Sequence, residues 1–149
     1  MALGAKKQGK ELRVYPLLGD GEIEEGQVWE AMMFAHHYGL DNLCVIVDNN
    51  DLQIDGRIAD VIDPYPIPDK FKAFGLNVVE IDGHDFDQIE EAFNKARATK
   101  GVPTAIIMKT LKGKGVSFME DQAGWHGKAP NDEQTQQASE ELAAAKAAL

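Results

Sequence analysis

Three stretches of this chain are apolar almost without interruption, and that limits the architectures it can take. Val14 to Leu18 reads VYPLL, Leu43 to Val47 reads LCVIV, and Thr104 to Lys109 reads TAIIMK. A strand with one face in water alternates apolar and polar residues, so a strand apolar throughout needs cover on both faces. The segments between these runs carry a helical pattern: Ile23 to about Tyr38, a short piece near Asp69 to Phe74, and amphipathic Phe86 to Lys100. Asn77 to Ile81 reads as one more strand. Strands alternating with helices predict an α/β fold, a parallel sheet with helices on both faces. Pro16 has no N–H for a ladder, so the first strand, read as buried, should be short or start late. Gly39 marks the end of the first helix. Thr110 to Pro130 is a Gly-rich loop. The division expected is a partial ligand-binding domain over 1–130 and an exposed helical tail over 131–149, rich in Ala, Glu and Gln.

Charge and cysteine content narrow the function. A formal net charge of −10 opposes binding to nucleic acid or an anionic membrane, both of which need positive patches. One cysteine, Cys44, excludes an internal disulfide and a multi-cysteine zinc site and fits a reducing, cytoplasmic setting. Set in an apolar run, it reads as a small hydrophobe. No apolar run is long enough to span a bilayer, and the first residues are too short for a signal sequence. The first helix is unusual: VWEAMMFA, Val28 to Ala35, carries Glu30 as its one charge. A helix on a sheet ordinarily keeps a polar face, and a short chain has little to cover this one, so a subunit interface is expected there.

Two strand ends carry matching polar punctuation. Gly19-Asp20-Gly21 closes the first run and Asp48-Asn49-Asn50 the second. One helix and one strand separate them, a single right-handed crossover, so both ends can meet at the carboxyl edge of the sheet, where ligands bind in such folds. Glycines around Asp20 let backbone approach a ligand closely. The helix that follows offers N–H groups to phosphate, but Glu22, Glu24 and Glu25 would repel it unless a cation intervenes. Mg2+ takes oxygen ligands in octahedral geometry, often one or two side chains together with substrate phosphates. Asp20 and Asn50 supply a carboxylate and an amide oxygen, and a backbone carbonyl just after Asn50 adds another. Either half alone is ordinary turn chemistry; the joint spacing carries the signal.

That spacing is the thiamine-diphosphate motif, and longer stretches agree with it. LLGDGEIEEGQVWEAM at Leu17 to Met32, VDNNDLQIDG at Val47 to Gly56, KTLKGKGVSFMED at Lys109 to Asp121 and WHGKAP at Trp125 to Pro130 closely resemble the diphosphate-binding domain of transketolase. The resemblance implies thiamine diphosphate and Mg2+ as cofactors and two-carbon ketol transfer between sugar phosphates. By position, it implies Asp20 and Asn50 as metal ligands, with the carbonyl of Leu52 as a third. Gly19, Gly21 and Glu22 would line the diphosphate, and Ile54 and Leu111 would pack against the cofactor rings. Lys112 and His126 match residues near the diphosphate and the reacting centre, and Glu25 an interface acid that meets a partner's catalytic glutamate. Taken residue by residue, Ile54 and Leu111 also suit any α/β core, Lys112 a solvated loop, and His126 a structural turn. His36, His37 and His84 read as structural.

The resemblance also implies what lies outside this stretch. In the family the domain extends upstream, where it carries histidines that handle sugar hydroxyls, and a pyrimidine-binding domain supplies the glutamate that activates the cofactor. The expectation is therefore an amino-terminal transketolase subunit or fragment, active only with that pyrimidine-binding (C-terminal) subunit or domain, in a homo- or hetero-oligomer. Alternatives are another enzyme of the class, such as a deoxyxylulose phosphate synthase or dihydroxyacetone synthase, or a non-catalytic interaction module. Glu24 to Ala31 and Trp125-His126-Gly127 favour transketolase.

Overall fold

The computed structural model describes residues 1–148. A short helix, α1 (Ala2–Lys7), precedes β1 (Leu17–Gly19), α2 (Gly26–His37) and β2 (Cys44–Asn49). A small hairpin follows, β3 (Leu52–Gln53) and β4 (Gly56–Arg57), then α3 (Ile58–Val61) and α4 (Ile67–Ala73). The chain continues through β5 (Asn77–Asp82), α5 (Phe86–Ala98), β6 (Thr104–Lys109) and α6 (Asp132–Ala147). β1, β2, β6 and β5 form one parallel sheet in that order.

The most apolar runs take the centre. Val45 and Val47 of β2 with Ala105 and Ile107 of β6 meet Val28 and Met32 of α2 and Ile67 and Phe71 of α4. On the other face, Cys44 and Ile106 meet Ala92 and Ala96 of α5. Side chains alternate between faces along a strand, so one apolar run feeds both cores, as expected of a sheet covered on both sides. Each fully buried aliphatic side chain contributes roughly 1.5–3 kcal/mol relative to exposure. Asp85 caps α5 by accepting from the N–H groups of Asp87 and Gln88. Gly39, at φ +55, ends the turn after α2, a conformation glycine adopts without strain.

Some local expectations are corrected. The first run is not a buried strand: β1 is an edge of the described sheet, and Leu17 is 65% exposed. It starts at Leu17, after Pro16, as the missing N–H requires. The helix expected from Ile23 is divided. Glu22–Glu24 form a 3-10 turn, Glu25 is extended, and α2 begins at Gly26 with no acidic residue in its first turn. Ile23 is fully buried and its carbonyl accepts from the Trp29 indole at 2.8 Å, which sets the break. Trp29 in turn packs on Phe71 and Phe74 of the α4 segment. The hairpin β3–β4 was not foreseen in what read as plain loop. The tail over Asp132–Ala147 is α6, opened by an Asn131–Gln134 capping box, with no buried residue.

Candidate functional site

Asp20 is the centre of the site. It follows β1 and is 1% exposed. Its N–H donates to the Asp48 carbonyl at 3.1 Å, which continues the β1–β2 ladder by one more residue. One carboxylate oxygen accepts from the Gly21 N–H at 2.9 Å. The other accepts from the Asn49 amide at 3.0 Å and the Asp51 N–H at 2.6 Å. Burial lifts its pKa above the ordinary aspartate value, the nearby Asp48 charge adds to the rise, and those hydrogen bonds oppose it. Among the described residues no Lys or Arg pairs with it, so a cation would relieve both burial and repulsion.

The cleft beside Asp20 has a volume of about 480 Å3. Nine sequence-predicted residues line it: Gly19, Asp20, Gly21, Glu22, Asn50, Leu52, Ile54, Lys112 and His126. Strand ends supply the first group, the hairpin Leu52 and Ile54, and the segment after β6 Lys112 and His126. Ile54 is 66% exposed, at the mouth. Two predicted residues stand apart. Leu111 lines a neighbouring concavity with His84, and its N–H donates to the His84 ring at 2.8 Å. Glu25 sits exposed at the start of α2, outside the cleft lining.

The backbone donors are already engaged. The Gly19 N–H donates to the Glu22 carboxylate at 3.0 Å, and that of Gly21 to Asp20. A Cβ on Gly21 would come within 2.9 Å of the Gln53 Cβ, so the hairpin closes over this turn only because the residue is glycine. Asn50 donates to Asp48 at 3.1 Å, and its amide oxygen accepts from the Leu52 N–H at 3.0 Å, which leaves a second lone pair.

These donors fit a hard cation. Among the described residues no three His, Cys, Asp or Glu side chains gather as a metal site. A cation here would draw on the Asp20 carboxylate, the Asn50 amide oxygen and the Leu52 backbone carbonyl, with the rest from ligand phosphate and water, the set Mg2+ accepts.

Sequence reading passed over several residues. Asp48 and Gln53 line the cleft, Asn49 holds Asp20, and Tyr65 and Lys109 close a network behind it. The Asp51 carboxyl is pushed up by burial, but bonds from Tyr65 and Lys109 and the charges of Lys109 and Arg57 hold it below the usual range. Asp48 and Asn49 adjoin Asn50 and were within reach of sequence. Tyr65 and Lys109 stood in the sequence as a Pro-flanked loop residue and a strand end.

Comparison with known proteins agrees with this geometry. The family described as transketolase, thiamine diphosphate binding domain, matches residues 6–148. One apulose-4-phosphate transketolase subunit, from Actinobacillus succinogenes, is 39% identical over 142 residues, 95% of this chain and 51% of that protein. The 6-deoxy-6-sulfo-D-fructose transketolase subunit SqwG of a Clostridium species is 40% identical, over 95% and 52%. The chain thus spans about half the length of these curated relatives. The crystal structure of transketolase from Campylobacter jejuni superposes with a TM-score of 0.88 at 31% identity, covering 95% of this chain and 23% of that one. Sequence, fold and cleft therefore agree that the chain belongs to the transketolase family, in its thiamine diphosphate binding domain.

Proposed function

We propose that this chain is the metal- and diphosphate-holding subunit or section of a transketolase, acting with a pyrimidine-binding partner subunit or domain to pass a two-carbon ketol unit between sugar phosphates. The observation that carries this reading is Asp20, a buried carboxylate with no ion-pair partner among the described residues, which faces a cleft of about 480 Å3. The names of two relatives, both transketolase subunits, support the two-part assembly.

When bound, thiamine diphosphate supplies the carbanion chemistry of ketol transfer. The chain's own residues hold and orient. Asp20, the Asn50 oxygen and the Leu52 carbonyl grip Mg2+, which offsets the acidic surroundings. Gly19, Gly21 and Glu22 would border the diphosphate, and the Gly19 N–H, bonded here to the exposed Glu22 carboxylate, would be the donor offered to phosphate. Ile54, at the cleft mouth, and Leu111, on its neighbouring concavity, give apolar surface to the rings. Lys112 adds positive charge, and His126, on the cleft lining, would meet a sugar hydroxyl or the reacting centre. Glu25, exposed just before α2, would meet the partner's glutamate. The exposed face of α2, with Met33 and Phe34, supports an oligomer, and the single buried cysteine supports a cytoplasmic setting.

Calorimetry tests the grip. Thiamine diphosphate should bind only with Mg2+, and Asp20→Asn should weaken that binding about a hundredfold, the upper range for losing a metal-site residue. Equal affinity in the presence of a chelator would overturn the reading. Ketose-phosphate consumption with an aldose acceptor should appear only after a pyrimidine-binding partner is added. Binding without turnover under any pairing would favour a non-catalytic module.

A further inference from the structure

Asp51 lies between Asn50 and Leu52 with φ +66, a left-handed backbone that residues other than glycine sparsely populate. The turn has a visible result: it aims the Asp51 N–H at Asp20, at 2.6 Å, and folds Asn50 and Leu52 around the same point. The Asp51 side chain is what the rest of the fold grips. Lys109 reaches both of its carboxylate oxygens, at 3.1 and 3.0 Å, and the Tyr65 hydroxyl donates to one of them. Parallel register brings Lys109 there, because the last residue of β6 pairs with Asn49, the last of β2.

The same pair also orients Asn49. Lys109 donates to the Asn49 side-chain oxygen, Oδ1, at 3.3 Å, which leaves the amide hydrogens to point at Asp20 and the Tyr65 oxygen. Lysine only donates, so it reinforces one of the two ways that amide can lie. The ammonium also stands 5.5 Å from the centre of the Tyr65 ring.

We propose that Lys109 and Tyr65 are positioning residues that brace the left-handed turn at Asp51 and so set the spacing of the Asp20–Asn50–Leu52 grip. The inference rests on the metal-holding role proposed above, and two measurements separate their fates. The first needs no ligand: hydrogen exchange of the Asp51 amide in the full chain. Lys109→Met should speed it about tenfold, because local opening of the turn becomes easier once the brace is gone. The second is thiamine diphosphate affinity with Mg2+, expected to fall about tenfold in the same variant. Asp51→Gly supplies the control, since glycine holds positive φ without a brace. In that background Lys109→Met should cost clearly less Mg2+-dependent affinity, about threefold at most, because only its bond to Asn49 is left to lose. Unchanged exchange in Lys109→Met, or a full tenfold loss persisting in the glycine background, would overturn the brace. Should Lys109→Met fail to fold, Tyr65→Phe removes only a hydroxyl and carries the same exchange test. If the native chain binds no thiamine diphosphate with Mg2+, the functional reading falls while exchange still decides the brace.

Discussion

β1 and β2 each lead into half of the cleft, yet they are fixed by different forces. β2 runs between two strands, and Cys44, Val45 and Val47 are 0% exposed. β1 is three residues long with one neighbour in the described sheet, and Leu17 is 65% exposed. Packing sets the end of β2. The end of β1 is tied to it by Asp20, whose N–H donates to Asp48 and whose carboxylate accepts from Asn49 and Asp51. A site half built on an edge strand keeps its geometry by polar contacts to the centre, and those contacts are directional where packing is not. The buried carboxylate thus acts as a fastener as well as a candidate ligand.

If this contrast holds, mutations should separate along it. Ile106→Ala, in the fully buried centre, should cost about 2–5 kcal/mol in urea unfolding. A cost near zero would break the comparison at its stronger side.

Binding gives the next largest effect. Against the hundredfold expected for Asp20→Asn, Asn50→Ala should lose about tenfold in Mg2+-dependent thiamine diphosphate affinity, since a neutral ligand is given up. An equal or larger loss at Asn50 would shift the weight of the grip from the edge strand to β2.

Cys44 sharpens the contrast through pH. Burial pushes its thiol from 9.0 up to about 11. Between those values the folded chain keeps a proton that the unfolded chain releases. Stability present below about pH 9 is therefore lost as pH rises toward 11. Cys44→Ala should remove this part of the slope, read as the difference in urea midpoints at about pH 8 and about pH 10. Identical slopes would mean that β2 is less dry than its packing implies.

The smallest effect belongs to the edge. Leu17→Ala should stay within about 0.5 kcal/mol, as exposed substitutions do. A multi-kcal/mol loss would show that Leu17 is covered in solution, and a shift in sedimentation would identify the cover as another copy of the chain.

Much of this was legible in the residue order. The unbroken apolar runs required a sheet covered on both faces, and the Gly-Asp-Gly and Asn-Asn endings lay one crossover apart, so nine of the named residues line one cleft. Those signals are local or repeat within a single unit. Other features depended on partners far along the chain. Ile23 breaks the expected helix because its carbonyl takes the Trp29 indole and its side chain is buried against elements beyond residue 60. Leu111 left the cleft because its N–H found His84, 27 residues away.

By itself the sequence determined the α/β class, the cover on both faces of the β2 and β6 runs, and the meeting of the Asp20 and Asn50 strand ends at one cleft, because periodicity and turn chemistry act over a few residues. Tertiary structure alone decided that β1 is an edge of the described sheet, that the hairpin closes over Gly21, and that Lys109 lies 58 residues from Asp51 yet within 3.0 Å of it. The physical reason is strand register. Which side chains meet at a sheet's edge depends on how β2 pairs with β6, and no local pattern in either segment encodes that alignment.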